Sequence, residues 1–168
     1  MKRLLLDTNI YGEIIIDREL DLLISSYRKN HHNLIYGFSF IRKELRATPK
    51  TKKYGPRNLR VALLSLYDLI VGKHSLVVDE TKLKSIAEKY YGMYRELGGS
   101  FGKEELMSDF IIVACASLKK MDIVVSEDDS TMLSELSLKA YSLVNKVLTL
   151  ENPEFYGYVK LKELLLRA

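Results

Sequence analysis

Four acidic residues stand at the boundaries of apolar segments that lie far apart in the chain. Asp7 follows LLL, Glu44 comes shortly after LIYGFSF, Asp109 heads DFIIVACASL, and Asp128 follows DIVVSE. Brought together, they would form a hard oxygen-donor set suited to Mg²⁺ or Mn²⁺, ions that take a few carboxylates and complete their shells with water and phosphate oxygens. Fully ionised, the four would carry four negative charges, which two divalent ions neutralise. Such ions lower the pKa of a bound water and clamp both the attacking and the leaving oxygen of a phosphodiester, so hydrolysis of a nucleic acid is the chemistry to expect. Each residue also has a plainer reading. Asp7 fits a turn and a helix cap, Glu44 a solvated helix position, Asp109 a favourable charge in a first helical turn, and Asp128 with its neighbour Asp129 a pair of loop acids.

Hydrophobic periodicity outlines the elements that must position these residues. A strand over Leu4–Leu6 leads into a helix over Ile10–Tyr27. A second strand over Leu34–Phe38 precedes a helix that Ser39 caps and that carries Glu44, with Pro49 ending it. Gly55-Pro56 marks a turn before a helix over Asn58–Val71. Ser75–Val78 reads as a short strand, and Thr81–Leu97 as a long helix stopped by Gly98-Gly99. Asp109–Lys119 is an apolar helix, buried on most sides. Ile123–Val125 is a strand, Thr131–Val144 a helix, and Val147–Leu150 a last strand before Pro153 starts a terminal helix. Strands alternating with helices predict a parallel sheet covered on both faces, and in such sheets ligands bind beyond the carboxyl ends of the strands.

At 168 residues the chain fits one domain, residues 1–168, with 47% hydrophobic and 29% charged residues and no low-complexity linker. A net charge of +4 favours a polyanionic partner only modestly. The single cysteine, Cys115, has no partner for a disulfide or a structural zinc site and sits in apolar surroundings that argue for inert packing. MKRLLL is cut short by Asp7, too soon for a secretory core, and no apolar stretch reaches the ~20 residues of a membrane span. The expected location is the cytoplasm, with no membrane partner.

LLLDTN, RKEL, SDFIIVACASLKKMDIVVSED and the closing ENPEF, taken in order, resemble the PIN-domain family and its VapC-type toxin ribonucleases over nearly the whole chain. The resemblance implies a three-layer α/β/α sandwich with a central, mainly parallel sheet. It implies that Asp7, Glu44, Asp109 and Asp128 are the catalytic, metal-binding acids, holding Mg²⁺ or Mn²⁺ as two ions once substrate is bound. Thr8, Asn9 and Ser126 would support them. It further implies an endoribonuclease, a homodimer, and a small VapB-like antitoxin partner occupying the active-site groove. Ser126 stands where many relatives carry Thr and keeps the hydroxyl. Asp128 holds the family spacing, two residues after that hydroxyl, in preference to Asp129. Glu104 and Glu105 read as a solvated loop before the apolar helix.

From Arg42 to Arg60 basic residues face the lone acid Glu44. Arg42, Arg46, Lys50, Lys52, Lys53 and Arg57 are the candidates for gripping an RNA backbone, with Tyr54 a candidate to stack on a base; the competing reading is a solubilised surface loop. His31, His32 and His74 lie outside the acidic motifs. The expected reaction is therefore attack by water leaving a 5′-phosphate and a 3′-hydroxyl, rather than histidine chemistry through a cyclic phosphate. Tyr90, Tyr91 and Tyr94 fit a core or a subunit interface. The alternatives are a PIN-type RNA-processing nuclease, a PIN-like domain that binds RNA or protein without cutting, and an aspartyl phosphotransferase using Asp7, disfavoured because Asn9 stands where that group places a second Asp. A dinucleotide-binding enzyme is disfavoured by the lack of a Gly-x-Gly-x-x-Gly motif after any strand.

Overall fold

The computed structural model describes residues 1–167. Its elements are β1 (Lys2–Leu6), α1 (Thr8–Ile15), α2 (Leu20–Lys29), β2 (Asn33–Tyr36), α3 (Ser39–Arg46), β3 (Lys53–Tyr54), β4 (Arg57–Asn58) and α4 (Leu59–Val71), followed by α5 (Glu80–Glu96), α6 (Lys103–Leu118), β5 (Ile123–Val125), α7 (Glu135–Leu148), β6 (Glu154–Tyr156) and α8 (Tyr158–Leu166). The central sheet runs β2-β1-β5-β6, with every pair parallel. Leu4, Leu5 and Leu6 of β1 are wholly buried, as continuous apolar strands must be when helices cover both faces of a sheet. Helices α1, α3 and α4 pack together, α5 packs on α6 and α7, and α2 packs on α8. This is the expected PIN-like α/β/α sandwich. Among the described residues no helix is long and apolar enough to cross a membrane.

The chain crosses from β2, on one side of β1, to β5 on the other, so the topological switch point lies between β1 and β5. Both strands end there, at Leu6 and Val125, and the Asp7 N–H donates to the Val125 carbonyl at 2.8 Å.

Several elements differ from their sequence-based outlines, each for a local reason. The helix expected over Ile10–Tyr27 breaks in two because the Asp17 carboxylate accepts the Glu19 N–H at 2.8 Å, a side-chain turn that competes with helical continuation. Phe38, rather than Ser39, precedes α3, and Ser39 is its first residue. The apolar helix begins at Lys103, six residues before Asp109. Leu106 and Phe110, one turn apart and both buried, carry its inner face through an otherwise polar stretch. Ser75–Val78 forms only a single bridge, Ser75 to Gly37. Val147–Leu150 is no strand: α7 runs to Leu148, and Thr149 ends it in the left-handed conformation at φ 56°. The last strand comes after Pro153, and the terminal helix starts at Tyr158.

Candidate active site

Asp7 leaves the end of β1 in extended conformation, φ −61° and ψ 154°, and caps α1. One carboxylate oxygen accepts the Thr8 N–H and the other the Ser126 hydroxyl, each at 2.7 Å. Asp7 is only 5% exposed and Ser126 is fully buried. Ser126 also accepts the Asp128 N–H at 3.1 Å, so one hydroxyl joins the ends of β1 and β5. The capping reading of Asp7 is met, and it does not compete with a functional one, because a helix cap at a strand end also holds the carboxylate in place.

The remaining acids arrive from three other segments. The Thr8 hydroxyl donates to Glu44 Oε1 of α3 at 2.7 Å. Asp109 lies within α6, which removes its reading as a first-turn charge, and accepts the Thr131 hydroxyl. Asp128 Oδ1 accepts the Ser130 hydroxyl at 3.2 Å and the Thr131 N–H at 3.1 Å. Each carboxylate is therefore held by a hydroxyl: Asp7 by Ser126, Glu44 by Thr8, Asp109 by Thr131, and Asp128 by Ser130. Asp129 is exposed, and Asp128 is the member of the pair that faces the other acids.

The charges make themselves felt. Burial raises the Asp7 carboxyl from its ordinary 3.8 to about 6, with Glu44 and Asp128 adding repulsion against the hydrogen bonds from Ser126 and Thr8. Burial raises Asp109 to about 7, again with repulsion from Asp7, Asp128 and Glu44. Four carboxylates near enough to perturb one another share no lysine or arginine, for none of them belongs to an ion pair among the described residues. Buried charge is ordinarily paired or bound to metal. Among the described residues no three His, Cys, Asp or Glu side chains are gathered as a ready-made coordination sphere. Each carboxylate accepts one hydroxyl, and with about four lone-pair sites per carboxylate that bond leaves others to offer an ion. In donor chemistry, charge and position the four fit a hard divalent cation.

The basic candidates divide. Arg42 is spoken for: its guanidinium makes a two-pronged pair with Asp68, at 3.0 and 2.9 Å. Arg46, Lys50, Lys52, Lys53 and Arg57 are exposed, and the segment from Lys53 to Asn58 is a β-hairpin rather than an open loop. Tyr54 is anchored through its hydroxyl to the Ile15 carbonyl at 2.7 Å, so the hairpin sits at the opposite end of α1 from Asp7, ~11 Å along the helix. Glu104 and Glu105 belong to the first turn of α6, where Glu105 accepts the Gly102 N–H at 3.4 Å. Asn9 is exposed in α1 and has no side-chain hydrogen bond among the described residues. His74 packs on Tyr36, and burial pushes the Cys115 thiol up to about 12, the inert packing its sequence surroundings indicate.

Sequence reading missed Thr131, which it placed inside a helix. Ser134 caps α7 three residues later by accepting the Ser137 N–H, leaving Thr131 in the loop where it reaches Asp109. Ser134 ahead of Glu135 was the available signal for that later start.

A cleft of about 550 Å³ lies away from the acids, lined among others by Ile15, Leu20, Ile24, Tyr54, Leu66 and Leu69, with Arg28, Lys29 and Arg57 also in its wall.

No protein-family model matches the chain, and no curated protein does. Solved structures do. A chain of VapBC-1 from nontypeable Haemophilus influenzae superposes with a TM-score of 0.57 at 13% identity, covering 94% of this chain and 98% of its own. A chain of VapBC2 from Rickettsia felis, in a structure bound to a DNA fragment from their promoter, superposes with a TM-score of 0.55 at 14% identity, covering 92% and 98%. At such identities the likeness speaks for the fold, and it places this chain's sandwich beside those of VapBC toxin-antitoxin structures over nearly their whole length.

Proposed function

We propose that the chain is a metal-dependent endoribonuclease, the toxin member of a VapBC-type pair, with Asp7, Glu44, Asp109 and Asp128 as its catalytic acids. The observation that carries this reading is the meeting of four carboxylates at the switch point of a parallel sheet, none of them in an ion pair among the described residues. Mg²⁺ or Mn²⁺, as two ions with substrate bound, would supply an activated water and offset the charge of the phosphodiester. Asp109 keeps a proton up to about pH 7 and Asp7 up to about pH 6, and the two carboxyls would hold the metal in their ionised form, so any protons still on them would be released. Ser126 and Thr131 keep those two carboxylates in place, and Thr8 does the same for Glu44. The exposed lysines and arginines from Arg46 to Arg57 are the surface on which an RNA backbone would lie beyond the acids.

The partner proposed is a small VapB-like antitoxin, and the assembly a homodimer. The apolar cleft between α2, the hairpin and α4, whose wall carries Arg28, Lys29 and Arg57 against one acid, Asp21, suits an amphipathic acidic segment of such a partner.

The test is cleavage of a structured-RNA pool by purified protein in Mn²⁺, Mg²⁺ or EDTA, wild type beside Asp7→Asn, with the product ends mapped. Metal-dependent cuts bearing 5′-phosphates and lost in the variant are expected. Cutting that survives both EDTA and Asp7→Asn, or that leaves cyclic phosphates, would overturn the reading.

A further inference from the structure

We infer that Glu127 is a positioning residue for the acid site, fixing the Ser126–Asp128 segment by capping α8, which starts beyond the neighbouring strand β6. The inference rests on the metal-binding reading of the four acids.

Where the chain leaves β5, consecutive residues are tied down on different sides. The Ser126 N–H donates to the Tyr156 carbonyl of β6 at 3.0 Å, and its hydroxyl serves Asp7 and the Asp128 N–H. Glu127 turns the other way and accepts the Tyr158 N–H. That N–H opens α8, and the first donors of a helix have no partner inside it. Gly157 occupies the cap position and has no side chain to satisfy it. The cap therefore comes from a residue distant in sequence, and a carboxylate there also meets the positive end of the helix dipole. Gly157 suits the arrangement, since a Cβ on it would lie 3.3 Å from Glu127 Oε1.

Helix α8 is a firm anchor. The Tyr158 hydroxyl donates to Asp17 at 2.6 Å, and Lys162 reaches Asp17 at 3.0 Å and Glu19 at 2.9 Å, tying α8 to the corner between α1 and α2. The segment carrying Asp128 is thus held by Asp7 through Ser126 and by α8 through Glu127. Without the second tie, the side chains of residues 126–127 are restrained, among the described residues, through Ser126 alone, whose one hydroxyl is shared between the Asp7 carboxylate and the Asp128 N–H. Glu127 is exposed and its carboxylate is on the Tyr158 N–H, which sets it apart from the four acids held by Ser126, Thr8, Thr131 and Ser130.

The plainer alternative is that Glu127 only stabilises α8. Melting temperature and Mn²⁺ affinity, the latter by electron paramagnetic resonance titration in the absence of RNA, separate the two. Glu127→Gln keeps an acceptor oxygen and should bind Mn²⁺ as wild type does, whereas Glu127→Ala should bind it ~10–100-fold more weakly, as loss of an outer-shell support does. Unchanged affinity in Glu127→Ala would overturn the proposal, and so would equal loss in Glu127→Gln, which would mean that the charge acts rather than the tie. Should Glu127→Ala not fold, Tyr158→Pro removes the N–H at a helix position that accepts proline, after a Gly157 that is already extended, and Tyr158→Ala removes the ring but keeps the N–H. The proline variant should then be the weaker Mn²⁺ binder, and equal affinity in the pair would overturn the proposal. Failure of the wild type to bind Mn²⁺ is a different result, striking at the metal reading and not at the tie.

Discussion

Helix α1 has an aspartate just beyond each end, and the two live in opposite circumstances. Asp17, past the C-terminal end, is held down at about 2 by the Tyr158 hydroxyl and the Glu19 N–H, with Lys162 adding its charge. Asp7, at the N-terminal end, is pushed up to about 6 by burial and by the acids around it. Both accept two or more hydrogen bonds, so hydrogen bonding does not separate them. Burial and a nearby cation do: Asp17 has its counter-ion in Lys162, and Asp7 has no ion pair among the described residues, only repulsion from Glu44 and Asp128. The contrast supports the proposal that Asp7 and its neighbours take their cation from outside the chain.

The contrast breaks most dramatically in activity. Asp7→Asn should lower RNA cleavage at least ~100-fold, since removing a ligand should exceed the effect of removing an outer-shell support; steady cleavage would take Asp7 out of the chemistry. In stability the same substitution should act in the opposite sense. A carboxyl with a raised folded pKa keeps its proton in the folded state when the unfolded chain has lost it. Stability is therefore full below pH 3.8 and falls as the pH climbs to about 6 for Asp7 and about 7 for Asp109. Metal-free Asp7→Asn should be more stable than wild type by about 1–3 kcal/mol at pH 8 and no more stable near pH 4, by denaturant unfolding at both. A variant less stable at pH 8 would mean that hydrogen bonding at Asp7 outweighs the repulsion.

At the other end of α1 the signs reverse. The lowered pKa of Asp17 contributes stability that is present above pH 3.8 and disappears as the pH falls toward 2. Asp17→Asn should lose about 1–3 kcal/mol at neutral pH, because Tyr158 and Lys162 are left with a poorer partner. A neutral result in the same unfolding experiment would erase the contrast. The smallest effect concerns the basic surface: replacing Lys50, Lys52 and Lys53 by Ala should weaken RNA binding and flatten its salt dependence by about one slope unit for each phosphate no longer gripped. An unchanged slope would return that segment to a solvated role.

Much of this was legible in the sequence for a physical reason. Burial on both faces leaves continuous apolar runs, so LLL and IVV announce the central strands, and an acid directly after such a run lies at the sheet's carboxyl edge whatever the register. What escaped depends on pairings distant in sequence or on a single local hydrogen bond. Asp17 splits a well-patterned amphipathic helix with a two-residue hydrogen bond, which periodicity cannot reveal. Strand β6, EFY, is three residues on a sheet edge and has too little pattern to stand out, whereas VLTL looks like a strand but ends a helix whose Asn145 is held by Tyr90, Ser117 and Asn152. The acids declared themselves, and the family resemblance pointed to two of their hydroxyl partners, Thr8 and Ser126, but not to the other two. Thr131 and Ser130 acquire their roles only when the loop after β5 folds back toward α6. Arg42, basic and beside Glu44, has the look of an RNA-binding residue until Asp68 approaches it from α4.

The central claim is that the four acids await a cation. It is met most directly by titrating the metal-free protein with Mn²⁺ at pH 6.5, where Asp7 and Asp109 together still hold about one proton, wild type beside Asp109→Asn, while recording bound metal and released protons. Saturable binding by the wild type with proton release, and marked weakening in the variant, is the predicted result. Wild-type protein that takes up no Mn²⁺, or binds it equally well without the Asp109 carboxylate, would contradict the account.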